Sequence, residues 1–392
     1  MNSVAANVLN NFTQKFSTQP GVYYSPGRIN LIGEHIDYND GYVMPAAINK
    51  GVYYAIAANE TSTINFYALD FNESLSIKID DIKSIDNWKN YVLSVVNEFI
   101  IAGKPVNGFD CVFGGDIPLG SGISSSAAVE GGLAFALNDI FNYGMSRVQL
   151  ALLCQRAEHN FPNVKCGIMD MYANLNGKKD HVILLDCKNI THQYFPLQLN
   201  GYKIVLLNSK VHHSLASGEY NVRRKRCEDG LSILKTEANI QSFRDAAIDD
   251  VDLHKGKMTI EVYNCCKYVV EEIARTKNGG ILLQQNDLAG FGKLMYATHE
   301  GLSKLYNVSC AELDFLVALA TKNANVIGAR LMGGGFGGCT INIVKEEEIE
   351  GFIATARDAY QKYFNILPEA YVMEISDGTK KINATTVVNL QQ

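Results

Sequence analysis

The rest of the chain is organised around one stretch, Gly21-Val-Tyr-Tyr-Ser-Pro-Gly-Arg-Ile-Asn-Leu-Ile-Gly-Glu-His-Ile-Asp-Tyr-Asn-Asp-Gly-Tyr-Val-Met-Pro45. Its apolar start predicts a strand that enters a turn at Pro26–Gly27. Beyond that point, ionisable side chains are interleaved with isoleucine and leucine: Arg28, Glu34, His35 and Asp37. A solvated loop is the plain alternative. Because the apolar neighbours indicate partial burial, the pattern favours a wall that binds a polyol.

The composition is that of an ordinary globular protein. Of the 392 residues, 47% are hydrophobic and 19% are charged, and a chain of this length is expected to form two domains. The formal net charge of −6 argues against general nucleic-acid binding, which requires a basic surface. A monomer is the expected oligomeric state.

The cysteines and the hydropathy indicate the compartment. Nine cysteines are scattered without a C-x-x-C pair, which predicts reduced thiols and no disulfide framework. The sequence contains no secretory leader pattern and no apolar run of membrane-spanning length. We therefore expect a cytoplasmic protein with no membrane contact.

Helical and strand patterns alternate through both halves of the chain, which predicts an α/β or α+β architecture. The helical patterns cover residues 2–16, 88–101, a segment ending near 141, 145–161, 166–177, 215–235, 260–276, 280–300, 311–323 and 346–363. The strand patterns cover 51–58, 62–69, 75–79, 109–113, 181–185, 202–208, 340–344 and 370–375. A boundary near Pro196–Gly201 divides the chain into residues 1–197 and 198–392.

A glycine- and serine-rich segment, Gly120-Ser-Gly-Ile-Ser-Ser-Ser126, separates a predicted strand from a long helix. Glycines allow an anion to approach the backbone, and a helix N-terminus offers free N–H groups. One serine would satisfy a helix cap, so three favour a loop that binds phosphate. The segment matches neither a Walker loop nor a dinucleotide fingerprint.

Four further features carry weaker signals. Asp170 stands among apolar residues, which is typical of a paired structural carboxylate or of a catalytic one. The run Gly333–Gly338 predicts a tight turn or a backbone ridge against the first loop. Trp88, the only tryptophan, predicts a core anchor or a ring near a nucleotide base. The basic run Arg223–Arg226 predicts a solvated helix face.

Taken together, these stretches resemble the galactokinase family of the sugar and metabolite kinase superfamily, which also includes homoserine, mevalonate and phosphomevalonate kinases. Four motifs match in order: Pro26-Gly-Arg-Ile-Asn-Leu-Ile-Gly-Glu-His-Ile-Asp-Tyr38, Pro118-Leu-Gly-Ser-Gly-Ile-Ser-Ser-Ser-Ala127, Cys166-Gly-Ile-Met-Asp170 and Gly333-Gly-Gly-Phe-Gly-Gly-Cys-Thr340. The segment from Asn208 to Arg224 is also similar. The first motif distinguishes galactokinases from the rest of the superfamily.

The resemblance implies a two-domain α+β fold with the active site in the cleft between domains. It also implies ATP-dependent phosphorylation of the galactose C1 hydroxyl, with Asp170 as base and Arg28 beside it as charge stabiliser. The implied sugar-binding residues are Arg28, Glu34, His35, Asp37, Gly167, Asp170 and Tyr220. The implied ATP-binding residues are Trp88, Gly120, Ser121, Gly122, Ile123, Ser124, Ser125 and Ser126, and the implied Mg²⁺ ligands are Ser126 and Glu158.

Two positions depart from the family pattern: Met171 replaces a glutamine, and Ser121 stands where glycine or alanine is commoner. Two alternatives stay open. One is a sensor that binds galactose and ATP but signals through a partner. The intact segment Gly120–Ser126, which we call the serine loop, argues against this alternative. The other is a kinase for N-acetylgalactosamine, arabinose or another sugar, because pocket volume cannot be read from sequence.

Overall fold

The computed structural model describes residues 3–85, 87–118, 120, 122–211 and 216–383. Its helices are α1 Ser3–Lys15, α2 Lys89–Ile101, α3 Ser125–Ile140, α4 Arg147–Asn160, α5 Met169–Asn176, α6 Ala216–Ala238, α7 Ile248–Leu253, α8 Ile260–Gln284, α9 Leu288–Lys304, α10 Ala311–Lys322 and α11 Ile349–Phe364. Its strands are β1 Gly21–Asn30, β2 Tyr42–Val43, β3 Pro45–Ala58, β4 Thr63–Ala68, β5 Glu73–Lys78, β6 Phe109–Gly115, β7 His181–Asp186, β8 Thr191–Pro196, β9 Tyr202–Asn208, β10 Val326–Leu331, β11 Cys339–Lys345, β12 Glu369–Met373 and β13 Lys380–Ile382.

A six-stranded mixed sheet dominates the first half, in the order β13-β1-β3-β6-β4-β5. Strand alternation gives this sheet two buried faces. Val22 and Tyr24 of β1 join the apolar cluster that contains α1, whereas Tyr23 between them joins the cluster that contains α2 to α5. Helices therefore cover both faces. The outer strand β13 comes from the end of the chain, so the first sheet includes residues of the 198–392 half.

A four-stranded antiparallel sheet, β10-β11-β9-β12, organises the second half. One face packs on α10 and α11. The other contacts apolar residues of the first half, because Ile29, Leu31 and Ile32 share a buried cluster with Ile341 and Ile343. The stretch from which the sequence analysis started thus lies between the two sheets. The predicted α+β class is confirmed.

Three predictions about elements were wrong. Pro26–Gly27 is not a turn but a register shift inside β1, which continues to Asn30. The helix predicted to begin at residue 280 begins as α9 at Leu288, and the helix predicted to end at residue 276 continues as α8 to Gln284. Its glycines, Gly279 and Gly280, are packing positions, because a Cβ there would lie 3.1 Å from Phe291 and 3.3 Å from Leu184.

Four strands were not predicted: β2, β8, β10 and β13. The strand β8 lies at the edge of the three-stranded sheet β2-β7-β8, and its residues are exposed or only partly buried. The strand β10 was not recognised because a fully buried arginine, Arg330, interrupts its apolar pattern. Within the described residues, no helix is both long and apolar enough to cross a membrane.

Candidate active site

The bulge in β1 brings the strand against the serine loop. The backbone N–H of Arg28 donates to the Ile123 carbonyl at 3.1 Å. A side chain at Gly27 would obstruct this approach, because its Cβ would lie 2.8 Å from the same carbonyl oxygen. The Arg28 guanidinium continues the connection, since its Nη1 donates to the Gly122 carbonyl at 2.7 Å.

Asp170, in the first turn of α5, accepts hydrogen bonds from the other two nitrogens of this guanidinium. Arg28 Nε and Nη2 each donate to one carboxylate oxygen of Asp170 at 2.7 Å. The Ser124 hydroxyl donates to the same carboxylate. Burial acts to lower the pKa of Arg28, but the Asp170 carboxylate outweighs it, so the pKa of Arg28 is raised. Arg28 is therefore a fixed cation that crosslinks the strand, the loop and the helix.

The serine loop ends at the N-terminus of α3. Gly120, Gly122 and Ser124 all have positive φ, at 69°, 72° and 58°, a conformation that glycine adopts without strain. The first N–H groups of α3 have no partner within the helix and favour an anion. A cavity of about 210 Å³ adjoins them, lined by Arg28, Pro118, Gly120, Gly122, Ile123, Ser124, Ser125, Ser126, Gly333 and Gly334. This cavity is suited to phosphate groups.

A second cavity, of about 240 Å³, has Asp170 in its lining, and we refer to it as the sugar-side cavity. It is lined by Arg28, Glu34, His35, Asp37, Tyr91, Ser126, Glu158, Val164, Cys166, Gly167, Met169, Asp170, Met171, Tyr220, Gly333 and Gly334. The structure thus brings every predicted sugar-binding residue to one cavity. The two cavities share four lining residues: Arg28, Ser126, Gly333 and Gly334. A ligand hydroxyl in one cavity and a phosphate in the other would meet at this border.

The polar side chains of the sugar motif differ in their partners. Glu34 accepts from the fully buried Arg330 through Oε2 at 2.7 Å. His35 Nε2 lies 3.2 Å from the Gly334 carbonyl, which can only accept, so this nitrogen carries the proton. Its Nδ1 lies 2.8 Å from the Tyr38 hydroxyl and accepts from it. Burial lowers the pKa of His35 to about 4, so the ring is neutral at pH 7.

Asp37 is half-buried beside Gly167. Burial, reinforced by the Asp170 and Glu34 charges, raises the pKa of Asp37 to about 7. Its Oδ1 accepts from the Tyr38 N–H at 3.0 Å. A Cβ at Gly167 would lie 1.9 Å from Asp37 Oδ2, so only glycine leaves room for this carboxylate.

Glu158 and Ser126 provide oxygen atoms that could bind a metal ion: Ser126 lines both cavities, and Glu158 lines the sugar-side cavity. Burial raises the pKa of Glu158 to about 7, and a hydrogen bond from Ser126 opposes that rise. Burial and the Glu158 charge raise the pKa of the fully buried Glu130, whose two carboxylate oxygens have no hydrogen-bond partner among the described residues. A cation at this place would offset the cost of burying acidic groups. Hydroxyl and carboxylate oxygens are suitable ligands for Mg²⁺, which usually adds substrate phosphates and water, so the residues fit that ion.

The described residues contain no group of three or more His, Cys, Asp or Glu side chains that would hold a metal ion. Two protein ligands completed by phosphate oxygens remain compatible with this finding.

Other predicted residues have mixed outcomes. Tyr220 lines the sugar-side cavity with its ring 5.3 Å from that of His35. Trp88 lines neither of the two cavities; it stacks on Phe71 and donates to Glu73 at 3.0 Å. Ser121 lies outside the described residues, as does the segment 212–215 of the fifth motif.

The predicted solvated face at Arg223–Arg226 was wrong for its first residue. Arg223 is buried and donates to the carbonyls of Tyr306 and Asn307. Those acceptors are 83 and 84 positions away, so a local charge pattern could not reveal them. The next residues follow the prediction, with exposed pairs such as Lys225–Asp229 at 2.7 Å.

Two buried charged residues of the site were not predicted. Arg330 holds Glu34, and Glu272 of α8 accepts from the Gly33 N–H at 2.8 Å. Glu272 also pairs with Arg275. The sequence signal for Arg330 was an arginine inside an apolar run, Val326-Ile-Gly-Ala-Arg-Leu331, which is unusual unless the charge is paired.

Three family models match the chain. "Galactokinase galactose-binding signature" matches residues 10–58, "GHMP kinases N terminal domain" matches 90–178, and "GHMP kinases C terminal" matches 281–362. Curated relatives extend the similarity over nearly the whole length. A galactokinase of Clostridium acetobutylicum is 39% identical over 96% of this chain and 100% of its own. A galactokinase of Bacillus subtilis is 37% identical over 95% of this chain and 97% of its own.

Solved structures give the same result. The crystal structure of Lactococcus lactis galactokinase complexed with galactose has a TM-score of 0.94 and 31% sequence identity, covering 97% of this chain and 100% of that one. A mevalonate kinase crystal structure has a TM-score of 0.63 at 21% identity, covering 91% of this chain and 99% of that one. The second match concerns the fold alone.

Proposed function

The chain belongs to the galactokinase family, and we propose that Asp170 and Arg28 carry its chemistry. The enzyme phosphorylates the C1 hydroxyl of galactose with ATP and releases galactose 1-phosphate and ADP. The C1 oxygen forms a bond to the γ-phosphorus as the bond from that phosphorus to the β,γ-bridging oxygen breaks. Asp170 accepts the hydroxyl proton, and the leaving electron pair stays on ADP.

One observation supports the residue assignment: the Asp170 carboxylate lines the sugar-side cavity and is bonded to Arg28 and Ser124, which line the serine-loop cavity. Phosphoryl transfer depends mainly on positioning and charge stabilisation. Arg28 contributes to both, because it holds the carboxylate and borders both cavities. The loop amides and the Ser124–Ser126 hydroxyls hold the phosphates.

We further propose that the sugar lies against Glu34, His35, Asp37, Gly167 and Tyr220, which line the cavity together with Arg28 and Asp170. His35 already has protein partners at both ring nitrogens. A sugar hydroxyl would therefore share its Nε2–H with the Gly334 carbonyl or contact the ring. Trp88 is proposed to lie near the adenine. Residues 1–197 and 198–392 are the proposed domains.

Kinases of this family use ATP with a divalent metal. We propose Mg²⁺, held by Ser126 and Glu158, where it would neutralise phosphate charge. The proposed compartment is the cytoplasm, supported by nine free thiols. The protein is proposed to act as a monomer, which light scattering coupled to size-exclusion chromatography would test.

The decisive assay for substrate choice measures ADP release with galactose, N-acetylgalactosamine, arabinose and glucose, as kcat/KM for each. Galactose is expected to exceed glucose by at least about 100-fold, because inverting a hydrogen-bonded hydroxyl leaves buried partners unpaired. A higher value for N-acetylgalactosamine or arabinose would establish the alternative acceptor. Binding of galactose and ATP with no ADP release would establish the sensor.

A further inference from the structure

A charged residue from the second sheet reaches into the sugar motif of the first half. Arg330 of β10 is fully buried, with a relative exposure of 0%. Its Nη1 donates to Glu34 Oε2 at 2.7 Å, and its Nε donates to the Leu31 carbonyl at 2.8 Å. It also donates to the Asn30 and Leu331 carbonyls. All but one of these acceptors belong to residues 30–34, about 300 positions earlier in the chain.

Such a residue is costly unless it is fully paired. Taking an ion pair out of water carries a penalty that only good geometry and further hydrogen bonds can offset. Arg330 meets this condition, because each of its three side-chain nitrogens donates, and together they bond the Glu34 carboxylate and three carbonyls. Simple packing would be achieved at less cost by an apolar side chain. The geometry therefore points to a role in orientation.

The Glu34 backbone is fixed by neighbouring contacts. The Tyr268 hydroxyl donates to the Glu34 carbonyl at 2.8 Å, and Glu272 accepts from the preceding Gly33 N–H at 2.8 Å. Arg330 then fixes the remaining freedom, which is the rotation of the carboxylate. With Oε2 engaged by Arg330, Oε1 is the oxygen left without a described protein partner. Glu34 lines the sugar-side cavity.

We propose that Arg330 is a specificity-positioning residue, which holds Glu34 as an acceptor of fixed direction and thereby sets which galactose hydroxyl is recognised. This inference rests on the proposed sugar-binding role of the cavity. An acceptor held in one direction forms a good hydrogen bond only with a hydroxyl at one position of the sugar ring. Without Arg330 the Glu34 carboxylate would be free to rotate, and the hydrogen bond to that hydroxyl would no longer be favoured over bonds to the others.

The test uses galactose and its four monodeoxy analogues, lacking the hydroxyl at C2, C3, C4 or C6, with kcat/KM as the readout. The wild-type protein is expected to discriminate by at least about 100-fold against the analogue that lacks the hydroxyl read by Glu34. Each ratio compares kcat/KM for galactose with kcat/KM for one analogue. The variant Glu34→Gln identifies the relevant analogue, because the ratio for that analogue falls more than the other three. Arg330→Lys is expected to lower the same ratio by about tenfold or more, since lysine lacks the planar fork. The other three ratios and the KM for ATP should stay unchanged.

Arg244→Lys is the matched control. Like Arg330, Arg244 pairs with a carboxylate, that of Asp186 at 2.6 Å, but it is only partly buried and does not line the sugar-side cavity. Its substitution should leave all four ratios unchanged. If Arg330→Lys fails to fold, the double variant Arg330→Met/Glu34→Gln replaces it, since it leaves no buried unpaired charge. Its ratios should equal those of Glu34→Gln alone, because Arg330 acts through Glu34.

Two results would overturn the inference: an unchanged ratio for the analogue identified by Glu34→Gln, or an equal fall in all four ratios. In the double variant, ratios lower than those of Glu34→Gln alone would also overturn the inference. These outcomes differ from a failure of the proposed function, in which the wild-type protein itself would not phosphorylate galactose. The inference would then fall with its premise.

Discussion

Arg28 and Asp170 form a two-pronged ion pair across 142 positions of sequence, with Nε to Oδ1 and Nη2 to Oδ2 both 2.7 Å. The guanidinium is almost fully buried, at 6% exposure, while the carboxylate keeps 28% exposure and borders the cavity. The pair therefore has a rigid side and an accessible side. This asymmetry suits a base that must contact a substrate while its own orientation stays fixed.

Arg28→Lys tests the paired hydrogen bonds from the Arg28 guanidinium to the Asp170 carboxylate. A lysine can place one charge near Asp170 but cannot make two parallel hydrogen bonds and also reach the Gly122 carbonyl. We expect kcat to fall by about 100-fold or more, with a smaller change in the KM for galactose. Arg156→Lys is the control, since Arg156 pairs with Glu98 at 3.0 Å outside both cavities. Retention of more than about half of kcat in Arg28→Lys would refute its role.

Gly167→Ala tests the space beside Asp37. The new Cβ would lie 1.9 Å from Asp37 Oδ2, which forces that carboxylate to move. We expect the KM for galactose to rise by about tenfold or more, while the KM for ATP stays the same. In Gly256→Ala, where a Cβ would meet no atom of the described residues within 4 Å, both constants should match the wild type. An unchanged galactose KM in Gly167→Ala would mean that Asp37 does not bind the sugar.

Glu158→Gln tests the proposed metal site. Replacing a charged oxygen ligand with an amide should raise the Mg²⁺ concentration at half-maximal activity by about tenfold or more. The wild-type requirement should also increase as the pH falls below about 7, because Glu158, with a pKa of about 7, must lose its proton to bind a cation. That pH dependence should disappear in Glu158→Gln. A variant with the wild-type Mg²⁺ requirement would exclude Glu158 as a ligand.

Asp37→Asn tests the cost of the buried charge. The folded pKa of Asp37, about 7, is above its ordinary value of 3.8, so the folded protein binds more protons between these values. Stability from this group is full below about pH 4 and is lost as the pH rises through 7. Asp37→Asn should therefore raise Tm by about 2 °C or more at pH 8, and less at pH 5.

The control for this pH experiment is Asp40→Asn. Asp40 is exposed, and its φ of 59° is a conformation that asparagine tolerates. Its Tm should follow the wild type at both pH values. An equal Tm change at pH 5 and pH 8 in Asp37→Asn would contradict the raised pKa.

Much of the site could be predicted from the sequence because its parts are local motifs. The Pro26–Tyr38 segment, the serine loop and the Cys166–Asp170 segment each carry their residues within a few positions. Their order along the chain matched one family, and that match, not residue spacing, implied that Arg28 and Asp170 meet. The structure brings them together.

The remaining features depend on distant partners. Arg330 and Glu34 are 296 positions apart, and Glu272 and Gly33 are 239 apart. The local sequence around Arg330 or Glu272 therefore does not reveal these contacts. The same reason explains two errors of element prediction. Gly279 and Gly280 indicate a break by composition, yet close packing against Phe291 and Leu184 keeps them in one helix. Pro26–Gly27 indicates a turn by composition, yet the serine loop packs against a bulge there.

The central claim is that Asp170 takes the proton from the sugar hydroxyl at the border of the two cavities. Asp170→Asn keeps the shape and a hydrogen-bond acceptor for Arg28 but removes the base. The most direct measurement combines single-turnover formation of galactose 1-phosphate with calorimetric galactose binding in this variant. We predict a fall in rate of about 1,000-fold or more, with a galactose Kd within about tenfold of the wild type. Turnover within about tenfold of the wild type would contradict the account.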